Sequence, residues 1–454
     1  MCKLKAIFKA HLLLSILTVL SIMPFESGAQ NVLKTYLDEG LKNNLNLQTR
    51  EIALDQSLLA LKEAKTYFLP TADFQTQYTL AAGGRSIDLP IGDMLNGVYT
   101  TLNQLTNSES FPQLTNVSEQ FLPNNFYDAK IRIAYPILNS DRRYNKSIRQ
   151  TTVKLEENEI EIYKAELIMS IRQAYYQYCM AFKAIEVYTT AQTLVNQNIR
   201  DTEIFIKNGK ALPAQLMRAK SEASSIESRI IAARLQLENA RNYFNFLLNK
   251  DPESEVIFSE PDVPESMESF NSIPQKRTEI IKLETAIEIQ SQVLESKRQF
   301  YMPKVNAFID LGSQAFNFEF GRNSLYAMAG LQVEVPLFNG NRNRIQTQHA
   351  RLDLNKLQLQ KDLVEDQLSL TSRKAYNEVL SAQALFKSSE EQLKAAEAYF
   401  NLIDKGYKDG RHTMIEYLDA RNQLTQSSLQ KTISAYQILI AQAVYDRETG
   451  NSNF

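Results

Sequence analysis

The sequence predicts an α+β fold in which one unit, made of a helix, two β-strands and a pair of very long helices, occurs twice. Three observations predict it. Short motifs recur about 200 residues apart, which indicates a duplication. Alternating apolar and polar residues follow a proline in each half, as in half-buried strands. Each half then continues as a long stretch of heptad-spaced apolar residues, which is typical of coiled coils.

The duplication rests on two pairs of motifs. Ala134–Asn139 reads AYPILN and Glu334–Asn339 reads EVPLFN, whereas Lys207–Lys210 reads KNGK and Lys408–Arg411 reads KDGR. The first half is longer than the second between the start of its first predicted strand and the end of its second. The surplus fits a long polar loop over residues 81–125, because loops accept insertions that packed elements do not.

The first residues predict a secretory signal. Lys3, Lys5 and Lys9 precede an apolar run from Leu12 to Met23, and small residues end the segment at position 29. Such a run is too short and wrongly flanked for a stable membrane helix. The predicted organisation is a signal peptide at 1–29, a first repeat at 30–250, a proline-rich linker at 251–274 and a second repeat at 275–454.

The composition excludes several classes of function. A formal net charge of −2 argues against a nucleic-acid partner, which requires a basic surface. Beyond the predicted signal the chain keeps one cysteine, Cys179, so we expect an inert thiol and no internal disulfide. The sequence has no His/Cys cluster, no glycine-rich phosphate loop and no nucleophile elbow. We therefore expect no metal, no other cofactor and no enzymatic activity.

Each repeat is predicted to open with a helix that leads into a pair of strands. The helices cover Asn31–Thr66 and Thr278–Gln299, and a proline follows each of them. The strands are predicted at 71–80, 126–136, 304–312 and 325–335. Each is close to the ~9–11 residues with which a tilted strand crosses a bilayer. The same alternation fits soluble hairpins with one buried face, and the pattern alone does not separate the two.

Very long helices are predicted after each strand pair. Residues 139–208 contain neither proline nor glycine, and a continuous helix of that length extends about 105 Å at 1.5 Å per residue. Gly209 and Gly410 then interrupt the pattern, and return helices are predicted over Pro213–Leu248 and Thr413–Arg447. Hairpins of this length suit a tube across a periplasm; the alternative is a soluble coiled-coil scaffold.

The number of strands constrains the assembly. One chain offers four predicted strands, whereas a bilayer tolerates no open sheet edge and the smallest barrels have about 8 strands. If the strands are transmembrane, several chains must therefore share one barrel. Three chains contribute twelve strands, an even number, as in bacterial outer-membrane barrels.

Taken in this order, the motifs resemble the TolC family of outer-membrane efflux and secretion channels. The matching segments are Arg277–Ile280 before Tyr301–Pro303, then Val335–Gly340, and Gly410 followed by Glu416–Arg421. The resemblance implies an α+β membrane protein, a trimeric twelve-stranded outer-membrane β-barrel continuous with a long α-helical coiled-coil barrel in the periplasm. It also implies a passive export duct of a tripartite efflux or type I secretion system.

The resemblance further implies partners and sites. The partners are two more copies of the chain, a periplasmic adaptor (membrane fusion protein), an inner-membrane transporter of RND or ABC type, and outer-membrane lipid. The implied periplasmic gate consists of Glu416 and Asp419, with contacts from Tyr407 and His412. The implied adaptor-docking tips are Gly209, Lys210, Gly410 and Arg411.

Two departures from the family pattern concern the gate. The first repeat has Gln215 at the position equivalent to Glu416, and His412 stands where a basic arginine can tether the closed state. Without the resemblance, two acids on a helix are more often a solvated outer face than a gate.

The alternative function is a structural or adhesive envelope protein, in which the coiled coils provide reach and residues 81–125 form an extracellular binding loop. Strand pairs at matching positions in both halves favour the duct over this alternative.

Overall fold

The chain contains long α-helices and a small antiparallel sheet. A computed structural model describes residues 28–263 and 277–450. Residues 1–27 of the predicted signal peptide, part of the predicted linker and residues 451–454 lie outside the described residues. The helices are α1 (Gly28–Asn43), α2 (Leu45–Thr66), α3 (Ile91–Thr106), α4 (Ser140–Lys207), α5 (Pro213–Leu247), α6 (Thr278–Arg298), α7 (Arg342–Lys408) and α8 (Met414–Thr449). The strands are β1 (Thr71–Thr79), β2 (Ser86–Leu89), β3 (Val117–Gln120), β4 (Phe126–Leu138), β5 (Lys304–Phe316) and β6 (Leu325–Glu334).

The two longest helices match the sequence prediction closely. Helix α4 has 68 residues and α7 has 67. Residues 139–208 were expected to form one helix, and α4 begins and ends one residue inside that range. The agreement is close because neither proline nor glycine interrupts the segment.

The first predicted helix, Asn31–Thr66, is in fact two helices. Asn44 separates α1 from α2, although its own backbone keeps helical hydrogen bonds to Gly40 and Gln48. Its Oδ1 accepts a hydrogen bond from the Leu47 N–H at 3.1 Å, which caps the start of α2. Its Nδ2 donates to the Leu247 carbonyl at 3.0 Å. Asn44 is buried, so both bonds are made away from solvent.

Four of the strands form one antiparallel sheet in the order β1-β4-β5-β6. The central pair, β4 and β5, joins the two halves of the chain over a long register that includes Arg132 opposite Asp310. Strand β4 continues past Pro136 with a bulge before Leu138, whereas β6 ends ahead of the equivalent Pro336. Within the described residues, β1 and β6 each have one edge without a strand partner.

The surplus segment of the first half has more structure than the polar loop predicted there. Residues 81–124, here called the insertion, contain a two-stranded antiparallel sheet of β2 and β3 and the 16-residue helix α3. Asparagines that favoured a loop in the sequence, such as Asn96 and Asn103, bond to the backbone of the neighbouring segment.

The described chain divides into two compact units, and each draws on both halves. One contains Met1–Gln56, Val153–Ile287 and Asn355–Phe454 as far as these are described; the other contains Ser57–Thr152 and Glu288–Leu354. The first unit has its largest core around Tyr36, Tyr175 and Phe244. Tyr36 OH accepts from the Ile257 N–H at 2.9 Å, and Tyr175 OH donates to the Ile257 carbonyl at 3.2 Å, which fixes the start of the linker.

Cys179 lies in the same core and is fully buried. Burial raises the pKa of its thiol to about 12, so almost no thiolate forms at neutral pH. This agrees with the inert thiol expected from the sequence.

Candidate functional site

The four-stranded sheet has one apolar face, and that face is exposed. Phe74 in β1 is 71% exposed, and Leu331 in β6 is 68% exposed. The register places Phe74 opposite Ile131 and Ile131 opposite Leu311, so the apolar side chains of neighbouring strands form one continuous surface. Soluble monomers rarely leave a contiguous apolar area of this kind uncovered. This face therefore requires an apolar environment.

The opposite face of the sheet carries charged side chains in fixed positions. Arg132 binds Asp310 in two places, Nε to Oδ1 at 2.8 Å and Nη2 to Oδ2 at 2.6 Å. The ring of Phe308 lies 5.0 Å from the guanidinium carbon. Gly330 leaves room for that ring, because a Cβ there would stand 2.8 Å from it. Arg132 is thus held between an anion and an aromatic ring.

A second group of polar side chains continues this face towards the end of the strands nearest the insertion. Lys130 Nζ donates to Asp128 Oδ2 at 2.7 Å, and Tyr326 OH donates to Asp128 Oδ1 at 2.7 Å. In the register Asp73 stands opposite Arg132 on the next strand. Acidic and basic side chains therefore alternate across β1, β4 and β5, which suits contact with water.

Aromatic side chains flank the apolar band at both ends. Near the insertion, the Tyr78 ring stacks on Phe318 at 5.1 Å, and the Tyr127 ring contacts Phe318 at 5.8 Å and Phe320 at 4.7 Å. At the other end, Tyr135 is exposed on the same face of β4. Aromatic girdles at both interfaces are typical of strands that cross an outer membrane.

The long helices turn back on themselves in the same way at both predicted tips. Gly209 has φ +67° and Gly410 has φ +76°, a region that only glycine occupies without strain. At each tip the next N–H, of Lys210 or Arg411, donates to the carbonyl five residues earlier, at 2.8 and 2.7 Å respectively. These are Schellman motifs, which end a helix and release the chain into a turn. All four predicted tip residues are exposed.

At the second tip, Glu416 caps the helix that follows. Its carboxylate accepts from the Thr413 N–H at 2.6 Å and from Thr413 Oγ1 at 2.9 Å, and the Glu416 N–H donates to Thr413 Oγ1. This is a capping box at the start of α8. The Thr413 N–H and hydroxyl, with His412 at 3.5 Å, hold the pKa of Glu416 below its ordinary value.

The other two predicted gate residues lie in different surroundings. Asp419 is exposed one turn further along α8. Tyr407 is buried, and its ring stacks on Tyr417 at 4.9 Å and contacts Phe205 at 6.0 Å. The structure therefore brings His412 to Glu416 and packs Tyr407 into the core behind the tip.

The first tip has no such cap. Leu212 occupies the N-cap position without a side-chain hydrogen bond, and Pro213 follows in the first turn. Proline fits there because the first helical N–H groups have no intrahelical partner. Gln215 stands at the position that Glu416 holds in the second tip.

Sequence reasoning missed Arg421, which is fully buried behind the second tip. Its Nη2 donates to Glu222 Oε2 on α5 at 3.0 Å and to Asn422 Oδ1 at 2.8 Å, so it links two helical hairpins. Burial lowers the pKa of Arg421 and the Glu222 carboxylate opposes that shift, so the guanidinium stays charged at neutral pH. The signal was present in the sequence: Arg421 continues the apolar helical stripe of Met414, Tyr417 and Leu418.

Residues 28–263 and 277–450 lack both a metal-binding cluster and a membrane-spanning helix. They contain no cluster of three or more His, Cys, Asp or Glu side chains placed to hold a metal ion. None of the helices in these ranges combines the length and the apolar composition that crossing a membrane requires.

Known proteins share this sequence pattern and fold. Residues 274–447 match the family described as outer membrane efflux protein. The outer membrane protein TolC of Salmonella enteritidis is 18% identical over 455 residues, which cover 95% of this chain and 84% of that protein. The alkaline protease secretion protein AprF of Pseudomonas aeruginosa is 20% identical over 313 residues, which cover 66% of this chain and 64% of AprF.

A solved structure supports the fold independently. The outer membrane protein VceC from Vibrio cholerae aligns with a TM-score of 0.73 over 92% of this chain and 96% of its own, at 16% identity. At that identity the likeness shows a common fold. The predicted combination of long helices with a small sheet is therefore confirmed.

Proposed function

We propose that this chain, an outer membrane efflux protein of the TolC family, joins two further copies to close its sheet into one twelve-stranded barrel. The protein is an efflux or secretion channel of the outer membrane, and its helical part lies in the periplasm. In this proposal the repeats at 30–250 and 275–454 each contribute two strands of the main sheet and one pair of long helices.

The observation that carries the proposal is the contrast between the two faces of the sheet. The exposed apolar face, with Phe74 and Leu331, meets outer-membrane lipid, and the face with Arg132 and Asp310 lines a water-filled interior. The edges of β1 and β6 must be paired, because hydrocarbon offers no partner for backbone N–H and C=O groups. Pairing β1 of one copy with β6 of the next satisfies both edges.

The channel itself provides a passage and no energy. We propose that it acts in a tripartite efflux or secretion system, with a periplasmic adaptor and an inner-membrane transporter of RND or ABC type. The relatives TolC and AprF, named as an outer membrane protein and a protease secretion protein, support this class of system.

A conductance measurement tests the channel. Purified protein added to a planar lipid bilayer should produce discrete, long-lived current steps. As a matched control, Phe74→Lys with Leu331→Lys places charges on the lipid-facing side and should prevent insertion, since a lysine at the bilayer midplane costs ~2–4 kcal/mol. If the wild type inserts without conducting, or if the double variant conducts as well as the wild type, the proposal fails.

The two tips are proposed as the adaptor-docking sites. Gly209, Lys210, Gly410 and Arg411 are exposed and lie on paired, structurally equivalent turns, which supports a repeated contact with one kind of partner. Gly410→Val should abolish co-purification of the periplasmic adaptor while the channel still assembles. Gly340→Val is the matched control, because Gly340 also has a positive φ, +67°, but is not at a tip. Unchanged adaptor binding in Gly410→Val would count against docking at this turn.

Glu416 and Asp419 are proposed as the periplasmic gate, with His412 held against Glu416 and Tyr407 supporting the turn from behind. Three copies would bring six carboxylates together, and acidic rings favour cations in pores. The double variant Glu416→Gln with Asp419→Asn should show weaker cation selectivity and weaker block by multivalent cations. The charge-conserving exchange Glu416→Asp with Asp419→Glu should behave like the wild type. Unaltered selectivity in the neutral variant would leave Glu416 as a helix cap alone.

A further inference from the structure

The insertion is a rigid folded element with an apolar stripe that nothing in the described chain covers. Its rigidity comes from two asparagines on α3. Asn96 donates to the Leu114 carbonyl at 2.9 Å and accepts from the Leu114 N–H at 2.7 Å. Asn103, two turns later, makes the same pair of bonds to Phe111, at 2.8 and 3.1 Å. The two amides therefore hold an extended segment along one side of the helix.

Further contacts on this side of α3 close the gap between helix and segment. A Cβ on Gly92 would stand 2.4 Å from the Leu114 carbonyl oxygen, so only glycine allows this approach. Asn116 bonds to the backbone and side chain of Asp93 at 3.1 and 2.9 Å. The extended segment of the insertion therefore occupies this side of α3.

The opposite side of α3 is apolar and open. Met94 is 72% exposed, Val98 is 54% exposed and Leu105 is 78% exposed. At 100° per residue, each lies about 200° around the helix from Asn96 or Asn103. These three side chains, here called the α3 stripe, form a line along a helix whose orientation is fixed.

The base of the insertion is also fixed to the main sheet. The Ala81 N–H donates to Asn124 Oδ1 at 3.1 Å, and Tyr78 OH donates to Asn125 Oδ1 at 2.7 Å. Asn125 in turn bonds to Asn317 on the β5–β6 turn at 2.7 Å. The insertion begins just after β1, which is an open edge of the sheet. It is therefore placed where the next copy must join.

We infer that the α3 stripe packs against the insertion of the neighbouring copy and ties the copies together outside the membrane; this rests on the proposed function, in which copies meet at β1. The open edge of β1 continues directly into the insertion, so the same neighbour lies within reach of both. The charge of the insertion argues against a lipid surface as the occupant. Residues 81–124 contain four acidic side chains and one basic one, whereas helices that lie on anionic membranes are rich in lysine and arginine.

Photo-crosslinking in intact outer membranes tests the inference. A benzoylphenylalanine placed at Val98 should crosslink to a second copy, giving a product of twice the chain mass whose linked peptide maps to residues 81–124. The matched control places the same probe at Thr100, which is on the side of α3 that the chain itself occupies. That position should give little or no crosslink between copies.

The other outcomes each overturn the inference. A crosslink from Val98 to a different protein identifies another partner, a crosslink to lipid places the stripe on the membrane, and none at all leaves it in solvent. The mass of the detergent-solubilised particle, measured on the same sample, separates this from the proposed function. If three copies are present and Val98 does not reach its neighbour, the inference alone fails; if single copies are present, both fail.

A second test of the inference does not depend on the crosslinking probe. Met94→Asp with Val98→Asp should lower the temperature at which the assembly separates into single chains. Because the stripe is exposed in the single chain, this variant should leave the fold of the chain intact by circular dichroism. Unchanged thermal separation of the copies would contradict the inference.

Discussion

The two tips share one backbone turn and differ in what fixes the helix after it. Both use a glycine at positive φ and the same pair of backbone bonds. The second tip adds a capping box from Thr413 and Glu416, whereas the first has Leu212 and a proline. Behind the turn, Arg421 is buried, while its repeat equivalent Lys220 is exposed.

The difference shows which features the duplicated unit requires. The turn is present at both tips, and at both a glycine with positive φ ends the helix and lets the chain reverse. The turn does not require the capping box or the buried arginine, and of the two tips only the second has them. Since Arg421 reaches Glu222 on α5, the second tip also stabilises the helix that returns from the first. We expect the second tip to be the more resistant of the two to local opening.

The largest expected effect follows from removing the buried charge. Arg421→Met leaves Glu222 without its partner and should lower the local stability of the tip by about 3 kcal/mol, because breaking a buried ion pair is costly. Lys220→Met, the equivalent change in the first repeat, should stay within about 0.5 kcal/mol, as for most surface substitutions. Hydrogen exchange of the tip amides measures both. Equal effects would show that the burial of Arg421 does not distinguish the tips.

Alanine at either turn glycine should destabilise the protein by the same amount. Gly209→Ala and Gly410→Ala each force a Cβ into the left-handed region, at a cost of roughly 1–2 kcal/mol. Nothing lies within 4 Å of the added Cβ at either glycine, so backbone strain is the only term. Thermal unfolding of the two single variants tests this equality. A loss confined to one tip would mean that the shared backbone geometry does not set the energy of the turn.

The cap should matter at one tip and be transferable to the other. Thr413→Ala should cost about 1 kcal/mol at the start of α8, a usual value for an N-cap. Leu212→Thr places threonine three residues before Gln215, which completes a capping box at the start of α5 and should stabilise it by a similar amount. Hydrogen exchange in the first turn of each helix measures the change. If Leu212→Thr does not slow hydrogen exchange in the first turn of α5, a missing cap does not explain the difference between the tips.

The smallest expected effect is a dependence on pH. The pKa of Glu416 is lowered in the folded protein, so its contribution is present above its ordinary pKa and is lost as the pH falls through the folded value. The start of α8 should therefore loosen below about pH 4.5, whereas α5, with the uncharged Gln215, should not change for this reason. Limited proteolysis of the tips between pH 6 and pH 3.5 follows both helices. Glu416→Gln should remove the acid sensitivity; a variant as acid-sensitive as the wild type would assign it to another group.

Much of the fold was predictable because the relevant signals are local. Alternation located the four strands of the main sheet, and the absence of proline and glycine gave α4 to within one residue. The turns at Gly209 and Gly410 followed from the same reasoning. These features depend on backbone preferences, which short segments of sequence carry.

The remainder depends on side chains that bond to distant backbone. Asn44, which lies between α1 and α2, bonds to Leu247, 203 residues away, and no local pattern shows this contact. Asn96 and Asn103 turn a loop-like composition into a folded insertion, although apolar residues at helical spacing, such as Met94 and Val98, were a usable signal. At the candidate gate, the sequence placed Glu416 and Asp419 on one helix. The prediction missed the cap, although Thr413 three residues before Glu416 is the pattern of a capping box.

We propose that the open sheet of one chain is completed by two other copies. Native mass spectrometry of the detergent-solubilised particle measures how many chains it contains. We expect a stable assembly of three chains, because the unpaired edges of β1 and β6 cannot face lipid. A stable single chain that remains folded in detergent would contradict it.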